Sequence, residues 1–300
     1  MMTKQNPSTI VWLQGLTCNG NSHSFFNYEK LEVFSKNFHI LHHPQINTQY
    51  SLHDVLESDF SFDFLVIEGA LSKNPSILSR FEIPFTKIVD NLEKRARYII
   101  CAGSCASFGG IFRLNNPEEI TGAVFNGKKQ GGYWSEQKKN VINISGCPMH
   151  PEWFVQTLFT LRNSSNILLD EYKRPKEIFS YFVHHGCLRN EYFEWKVDCK
   201  DFGLKEGCLF YEHGCQGPMT HANCNKILWN KTSSKTRVGS ACLGCTEFDF
   251  PKHALYETHK NMSLPATPFG ISKRAYYSLA GIAKSFKIER LEKRLIDENN

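Results

Sequence analysis

The stretch Ile10–Asn21, IVWLQGLTCNGN, decides the fold. Ile10 to Leu13 is apolar at every position and leads into Gln14 and Gly15. A short continuous apolar run suits a strand buried on both faces. A turn follows, in which Cys18 is set among Asn19, Gly20 and Asn21, residues that tolerate tight backbone. A buried strand that opens into a cysteine-bearing turn predicts a parallel sheet with its chemistry beyond the strand ends.

The pattern repeats outward from there. Phe38–His43, Phe62–Ala70 (FDFLVIEGA), Arg97–Cys101 (RYIIC) and Val141–Ser145 (VINIS) read as four more strands. Helix-like stretches, such as Ile83–Ala96 and Trp153–Arg162, lie between or after them. Strands alternating with helical patterns predict an α/β domain, here residues 1–169, with a parallel sheet covered on both faces. Ligands of such sheets sit beyond the carboxyl ends of the strands. Cys18 follows strand one, Cys101 and Cys105 end strand four, and Cys147 follows strand five. Glu68 and Gly69 end strand three on the same edge. Distant positions are therefore expected to converge there, with Glu68 hydrogen-bonded near that site or exposed at the strand end.

From about Asp170 the composition changes. Seven cysteines fall between Cys187 and Cys245, among Gly and Asn, with few long periodic runs. Residues 170–270 are expected to form a mostly irregular domain held together by the metal centres it wraps. Residues 271–300 form a tail. Ser272 is a candidate helix cap, and Tyr276, Leu279, Ala283 and Phe286 recur at helical spacing, so a helix packed on this chain or a partner is expected.

Three hundred residues can bury a full core without disulfides or metals. A net charge of +5 with no dense Lys/Arg block excludes nucleic acid as the expected partner. No run of eighteen apolar residues suggests a spanning helix. Met1–Ser8 is polar and precedes an apolar segment too short for a secretory core, and no twin-arginine pair stands near the start. A cytoplasmic chain is expected, or one that rides with a membrane-bound partner. Eleven cysteines, an odd number, fit a disulfide framework poorly and fit ligation well. Thiolate is the usual ligand of iron–sulfur clusters. Zinc competes, but it favours paired CxxC motifs, and only Cys242–Cys245 is one. A zinc-stabilised binding module is the alternative from a different class.

The motifs resemble a known family. IVWLQGLTCNGNSHSFFN (Ile10–Asn27), VIEGA (Val66–Ala70), GSCASFGG (Gly103–Gly110) and SGCPMHPEWF (Ser145–Phe154) resemble the N-terminal domain of [NiFe] hydrogenase small subunits. HHGC (His184–Cys187), GCLFYEHGCQGP (Gly207–Pro218), Asn223–Cys224 and CLGCTEFDF (Cys242–Phe250) continue the resemblance in the family's order. It implies a flavodoxin-like domain followed by an irregular cluster-binding domain. It also implies an electron relay of three iron–sulfur clusters that serves a Ni–Fe site in a large subunit, working in H2 oxidation. No catalytic acid, base or nucleophile is expected in this chain. A regulatory, H2-sensing hydrogenase small subunit is the second reading.

By the same resemblance, a proximal [4Fe–4S] cluster takes Cys18, Cys105 and Cys147. A medial [3Fe–4S] cluster takes Cys224, Cys242 and Cys245, since the stretch between Cys224 and Cys242 offers Lys235 but no fourth thiol; a [4Fe–4S] cluster with a non-cysteine ligand is the alternative. A distal [4Fe–4S] cluster takes His184, Cys187, Cys208 and Cys215, with His185 as the neighbouring alternative to His184. The family's proximal motif is CxxC, and Asn21 stands in place of its second cysteine. Asn21 through its amide oxygen, Cys101 through its thiol, and a water-bound or open corner are the three options for the fourth position. Cys199 matches no family position. The implied partners are the large subunit and a cytochrome, a quinone-reactive protein or another redox partner.

Overall fold

The computed structural model describes residues 6–134, 140–164, 166–252, 255–257 and, toward the C-terminus, 272, 275, 278, 279 and 282. They fall into two compact units. The first holds residues up to Ile178 together with Cys245–Phe250; the second holds Phe179–Gly244 and the described residues from Pro251 onward.

The first unit is built on a five-stranded parallel sheet: β1 (Ser8–Gln14), β2 (Phe38–His42), β3 (Phe62–Glu68), β4 (Ala96–Ala102) and β5 (Val141–Ile144). The strand order is β5-β4-β3-β1-β2, with every neighbouring pair parallel. That is the flavodoxin-like order, with its switch point between β1 and β3. Both faces are buried, which explains the unbroken apolar runs. Val11, Leu13, Leu65, Ile67, Ile99 and Cys101 face one core with Ile88, Val89 and Leu92. Trp12 faces the other way, its ring 5.6 Å from Phe25 and 5.4 Å from Phe154.

The helices of this unit are α1 (Gly20–Phe26), α2 (Leu31–Asn37), α3 (Leu52–Glu57), α4 (Phe85–Glu93), α5 (Gly103–Phe108), α6 (Gly110–Arg113) and α7 (Pro151–Asn163). Helix α4 is shorter than the expected span 83–96. Ile83 pairs with Arg80 in a small hairpin before it, and the Arg95 guanidinium donates to the Val55 and Phe60 carbonyls, drawing the chain toward β4. Helix α7 starts with Pro151 at its first turn, where a missing N–H costs nothing, and His150 Nδ1 accepts from Glu152 N at 3.2 Å.

The change of composition at Asp170 precedes the end of this unit. Asn143 on β5 donates from its backbone N to Lys173 O and from its amide to Tyr172 O, at 2.9 and 2.8 Å. Segment 245–250 joins the same unit, because Ser145 Oγ and the buried Arg174 Nη1 both donate to Thr246 O, at 2.9 and 3.1 Å.

The second unit has little regular structure. Its elements are one-turn pieces: Val183–Gly186, Asn190–Glu194, Phe210–His213 and Gly217–Met219. Tyr192, Phe193, Cys208, Phe210 and Tyr211 form its buried apolar cluster. Of the expected tail helix, Leu279 is helical and Ser272 Oγ accepts from Ala275 N at 3.3 Å. Tyr276, Ala283 and Phe286 lie outside the described residues. No described helix is long and apolar enough to cross a membrane.

Candidate iron–sulfur sites

In the first unit the sheet edge gathers the expected thiols. Cys18 is exposed in the turn after β1, Cys105 sits half-buried in α5 after β4, and Cys147 is exposed in the loop after β5. They are electrostatic neighbours. Burial pushes the Cys105 thiol up to about 12, and the thiols of Cys147 and Cys18 push in the same direction. Cysteine ligates as its thiolate, and an iron core would supply the positive charge that thiolates gathered on one edge need.

The frame around them is tightly hydrogen-bonded. Ser104 N donates to Gly146 O and Gly146 N donates to Ser104 Oγ, both at 2.9 Å, so the Cys105 helix and the Cys147 loop are one piece. Ser104 Oγ in turn donates to Cys245 O. Gly110, at φ +51°, lies against Cys105, where a β-carbon would stand 2.6 Å from its sulfur. Gly103, at φ +87°, similarly makes room for the amide of Asn21.

Glu68 is the hub, and it is fully buried rather than exposed. Its Oε1 accepts from the backbone N–H of Asn21 and Ser22, at 3.0 and 3.2 Å. Its Oε2 accepts from Trp12 Nε1 at 3.1 Å, Gln14 Nε2 at 3.2 Å and Ser22 Oγ. One carboxylate thus fixes β1, β3 and the turn that carries Cys18. Ser22 Oγ also meets His43 Nε2 at 3.2 Å. Because His43 Nδ1 accepts from Gln45 N, the ring proton belongs on Nε2.

Asn21 is buried, and its Oδ1 accepts from Met149 N at 2.8 Å. It therefore ties the Cys18 turn to the Cys147 loop. Cys101 lies at 0% exposure on β4. Its thiol packs among apolar side chains of the sheet core, and burial pushes its pKa far up.

In the second unit the four expected distal ligands line one small cavity of about 20 Å³. His184, Cys187, Cys208 and Cys215 share its wall with Arg189, Phe193 and Thr236, among others. Burial pushes Cys208 and Cys215 each up to about 12, with Cys187 beside both. Arg189 N donates to Cys187 Sγ at 3.4 Å, and Cys242 N donates to Cys215 Sγ at 3.3 Å. His184 is the histidine in the wall; burial and the neighbouring His185 lower its pKa to about 4. A neutral ring with a free lone pair is the ligating form. His185 is turned toward Phe182, ring centroids 5.4 Å apart.

Of the expected medial ligands, Cys224 and Cys242 belong to the second unit and Cys245 to the first. Cys242 is buried, its thiol 3.7 Å from Thr220 Oγ1. Cys199 is buried, its thiol donating to Asp201 O at 3.0 Å. Sequence reasoning missed Arg189, Ser22 and His43. Arg189 carried one signal, its place two residues after Cys187.

Among the described residues, no three His, Cys, Asp or Glu side chains stand close enough to hold a single metal ion. The distal cavity instead gathers three cysteines and a histidine in one wall, a mixed donor set that iron–sulfur clusters accept.

Residues 179–257 match the family model for the C-terminal part of the NiFe/NiFeSe hydrogenase small subunit, and residues 18–161 match that for the NADH ubiquinone oxidoreductase, 20 Kd subunit. The chain is 30% identical over 267 residues to the periplasmic [NiFe] hydrogenase small subunit of Solidesulfovibrio fructosivorans, covering 83% of this chain and 81% of that one. The chain belongs to the [NiFe] hydrogenase small-subunit family.

Other members agree with this placement. The F420 non-reducing hydrogenase I small subunit of Methanosarcina mazei is 28% identical, with coverage of 81% and 73%. The [NiFeSe] hydrogenase structure from Desulfovibrio vulgaris Hildenborough superposes with a TM-score of 0.69 at 26% identity, covering 85% of this chain and 99% of that one. The actinobacterial-type NiFe-hydrogenase of Ralstonia eutropha H16 shares the fold, with a TM-score of 0.71 at 22% identity and coverage of 98% and 93%. A hydrogenase small subunit is the electron-transferring, iron–sulfur part of an oxidoreductase whose catalytic site lies on the large subunit. The zinc-module reading is set aside by this membership.

Proposed function

We propose that this small subunit holds three clusters in relay and passes electrons from H2 oxidation in the large subunit to an external acceptor. The distal cavity carries the reading: all four ligands expected there meet in one buried space. When bound, iron–sulfur clusters supply one-electron carriers, and the chain's own task is to place and tune them. Cys18, Cys105 and Cys147 hold the proximal [4Fe–4S] cluster. Cys224, Cys242 and Cys245 hold a medial [3Fe–4S] cluster, and His184, Cys187, Cys208 and Cys215 a distal [4Fe–4S] cluster.

Asn21 is the variant feature. Its Oδ1 keeps one lone pair beyond the bond from Met149 N, and that lone pair is proposed as the fourth proximal ligand. The burial of Cys101 in the apolar core leaves it out of this assignment. The chain works beside the large subunit and a cytochrome, quinone-reactive or other redox partner. A cytoplasmic setting is part of the proposal; cell fractionation checks it against the periplasmic names among the relatives.

Electron paramagnetic resonance of the anaerobically purified, oxidised heterodimer tests the assignment. A three-iron signal is expected in the oxidised sample, and after reduction a proximal four-iron signal that changes in Asn21→Cys and Asn21→Asp. Absence of any three-iron signal contradicts the medial assignment, and an unchanged proximal spectrum contradicts Asn21. Turnover with artificial acceptors tests the role; a negligible rate in the intact complex assigns it to H2 sensing instead.

A further inference from the structure

Arg189 is one of the largest fully buried side chains of the protein. A buried cation normally has a carboxylate partner, because desolvating an unpaired charge costs several kcal/mol or more. Among the described residues, none forms an ion pair with Arg189. Its side-chain donors go to backbone carbonyls instead. Nε donates to Thr236 O at 2.8 Å, Nη1 to Gly207 O at 2.6 Å and Glu206 O at 3.2 Å, and Nη2 to Leu204 O. Nη1 also lies 3.9 Å from Cys199 Sγ.

Carbonyl dipoles solvate a guanidinium without adding a formal negative charge, although Asp198 acts on Cys208 and Arg237 on Cys187 in the same neighbourhood. The guanidinium charge lines the distal cavity beside Cys187 and Cys208. A thiolate-ligated iron–sulfur core is a net anion, and a neutral imidazole ligand leaves it one negative charge short of the all-thiolate case. The missing carboxylate is explained if the cavity itself supplies the anion. The carbonyls at Leu204, Glu206 and Gly207 also make the guanidinium a latch, tying segment 204–207 to the turn that carries Cys187. Leu204 within that segment and Phe202 just before it are exposed.

We propose that Arg189 is the built-in counter-charge of the distal centre, holding its potential up and latching segment 199–207 beside it. This rests on the distal site proposed above. Arg189 is a positioning and tuning residue, not a catalytic one. The guanidinium fork suits both tasks, since it keeps its charge and can serve several carbonyls at once.

The test is a potentiometric titration, followed by electron paramagnetic resonance, of the anaerobic heterodimer with Arg189→Met, Cys199→Asp or Arg189→Lys. The proximal and medial clusters serve as internal references. Arg189→Met removes the charge at similar length. Cys199→Asp leaves the guanidinium in place but gives it a carboxylate within reach. Both are expected to lower the distal potential and leave the other two unmoved. Arg189→Lys keeps the charge but offers fewer donors. It is expected to hold the potential near wild type while segment 199–207 becomes more sensitive to protease.

An unchanged distal potential in either neutralised variant that retains its distal iron overturns the proposal. If both lose distal iron while Arg189→Lys keeps it, the charge is shown to be required. If Arg189→Lys loses it too, only the shape of the side chain mattered, and the proposal fails. A wild-type heterodimer with no distal cluster defeats the functional reading itself, independently of Arg189.

Discussion

The two units hold cysteines by opposite means. In the first, a sheet buried on both faces makes the scaffold, and the thiols ride on its carboxyl edge, two of the three exposed. In the second, the thiols are themselves part of the interior. Cys208 belongs to the small apolar cluster, and Cys187, Cys208 and Cys215 line a cavity among one-turn helices. A scaffold with its own core can present a metal site. A unit whose core is mostly ligand needs the metal to complete it.

Iron chelation should therefore separate the two units most strongly. In the anaerobic heterodimer, hydrogen exchange is expected to show amides of 179–244 losing most of their protection while β1, β3 and β4 keep theirs. Equal loss in both units would erase the distinction.

Within the first unit, Glu68 is the next largest lever. Its carboxylate satisfies five donors with no exposure to water. Glu68→Gln presents an N–H to donors that need an acceptor, at a cost of roughly 2–4 kcal/mol. Urea unfolding of the heterodimer should show the loss as an earlier first-unit transition. A shift below about 0.5 kcal/mol would mean that this network contributes little.

A smaller effect follows from His43. Burial lowers its pKa to about 4, against a partly offsetting pull from Glu68, with His42 adding to the lowering. The folded state keeps the ring neutral where the unfolded chain, near 6.5, begins to take up a proton. The unfolded state binds more protons between those values, so stability is full above about 6.5 and falls as pH drops toward 4. The loss is on the order of 1–3 kcal/mol. His43→Asn should flatten the pH dependence of the urea midpoint over that window. It should not abolish it, since burial shifts His42 the same way. An unaltered slope would place the proton elsewhere.

Cys101→Ala should do least. It removes one sulfur from a packed core, costs about 1 kcal/mol, and leaves iron content unchanged. Loss of iron from this variant would return Cys101 to the proximal site.

What could be read in advance follows the same division. Strands β1, β3, β4 and β5 were visible as unbroken apolar runs, because burial on both faces removes the need for polar alternation. Helices α1, α2, α3 and α5 were not, since each is two turns or less and gives periodicity little length to act on. The sheet-edge thiols could be placed from topology alone. The distal set could not: its members span His184 to Cys215 across irregular chain, and only resemblance to the family grouped them. Arg189 was hidden for a similar reason, since the carbonyls that hold it lie 15 to 47 residues away. The composition shift at Asp170 marked where regular structure fades. Hydrogen bonds from Asn143 carry the first unit past that point.

The central claim is that folding gathers these side chains into separate iron–sulfur nests. Anomalous scattering at the iron edge, from crystals of the anaerobic heterodimer, tests it most directly. The account predicts three compact groups of iron in this subunit, about eleven atoms in all. One should lie among Cys18, Cys105 and Cys147, one at Cys224, Cys242 and Cys245, and one among His184, Cys187, Cys208 and Cys215. Single scattering centres at the zinc edge, or iron absent from the His184–Cys215 cavity, would contradict it.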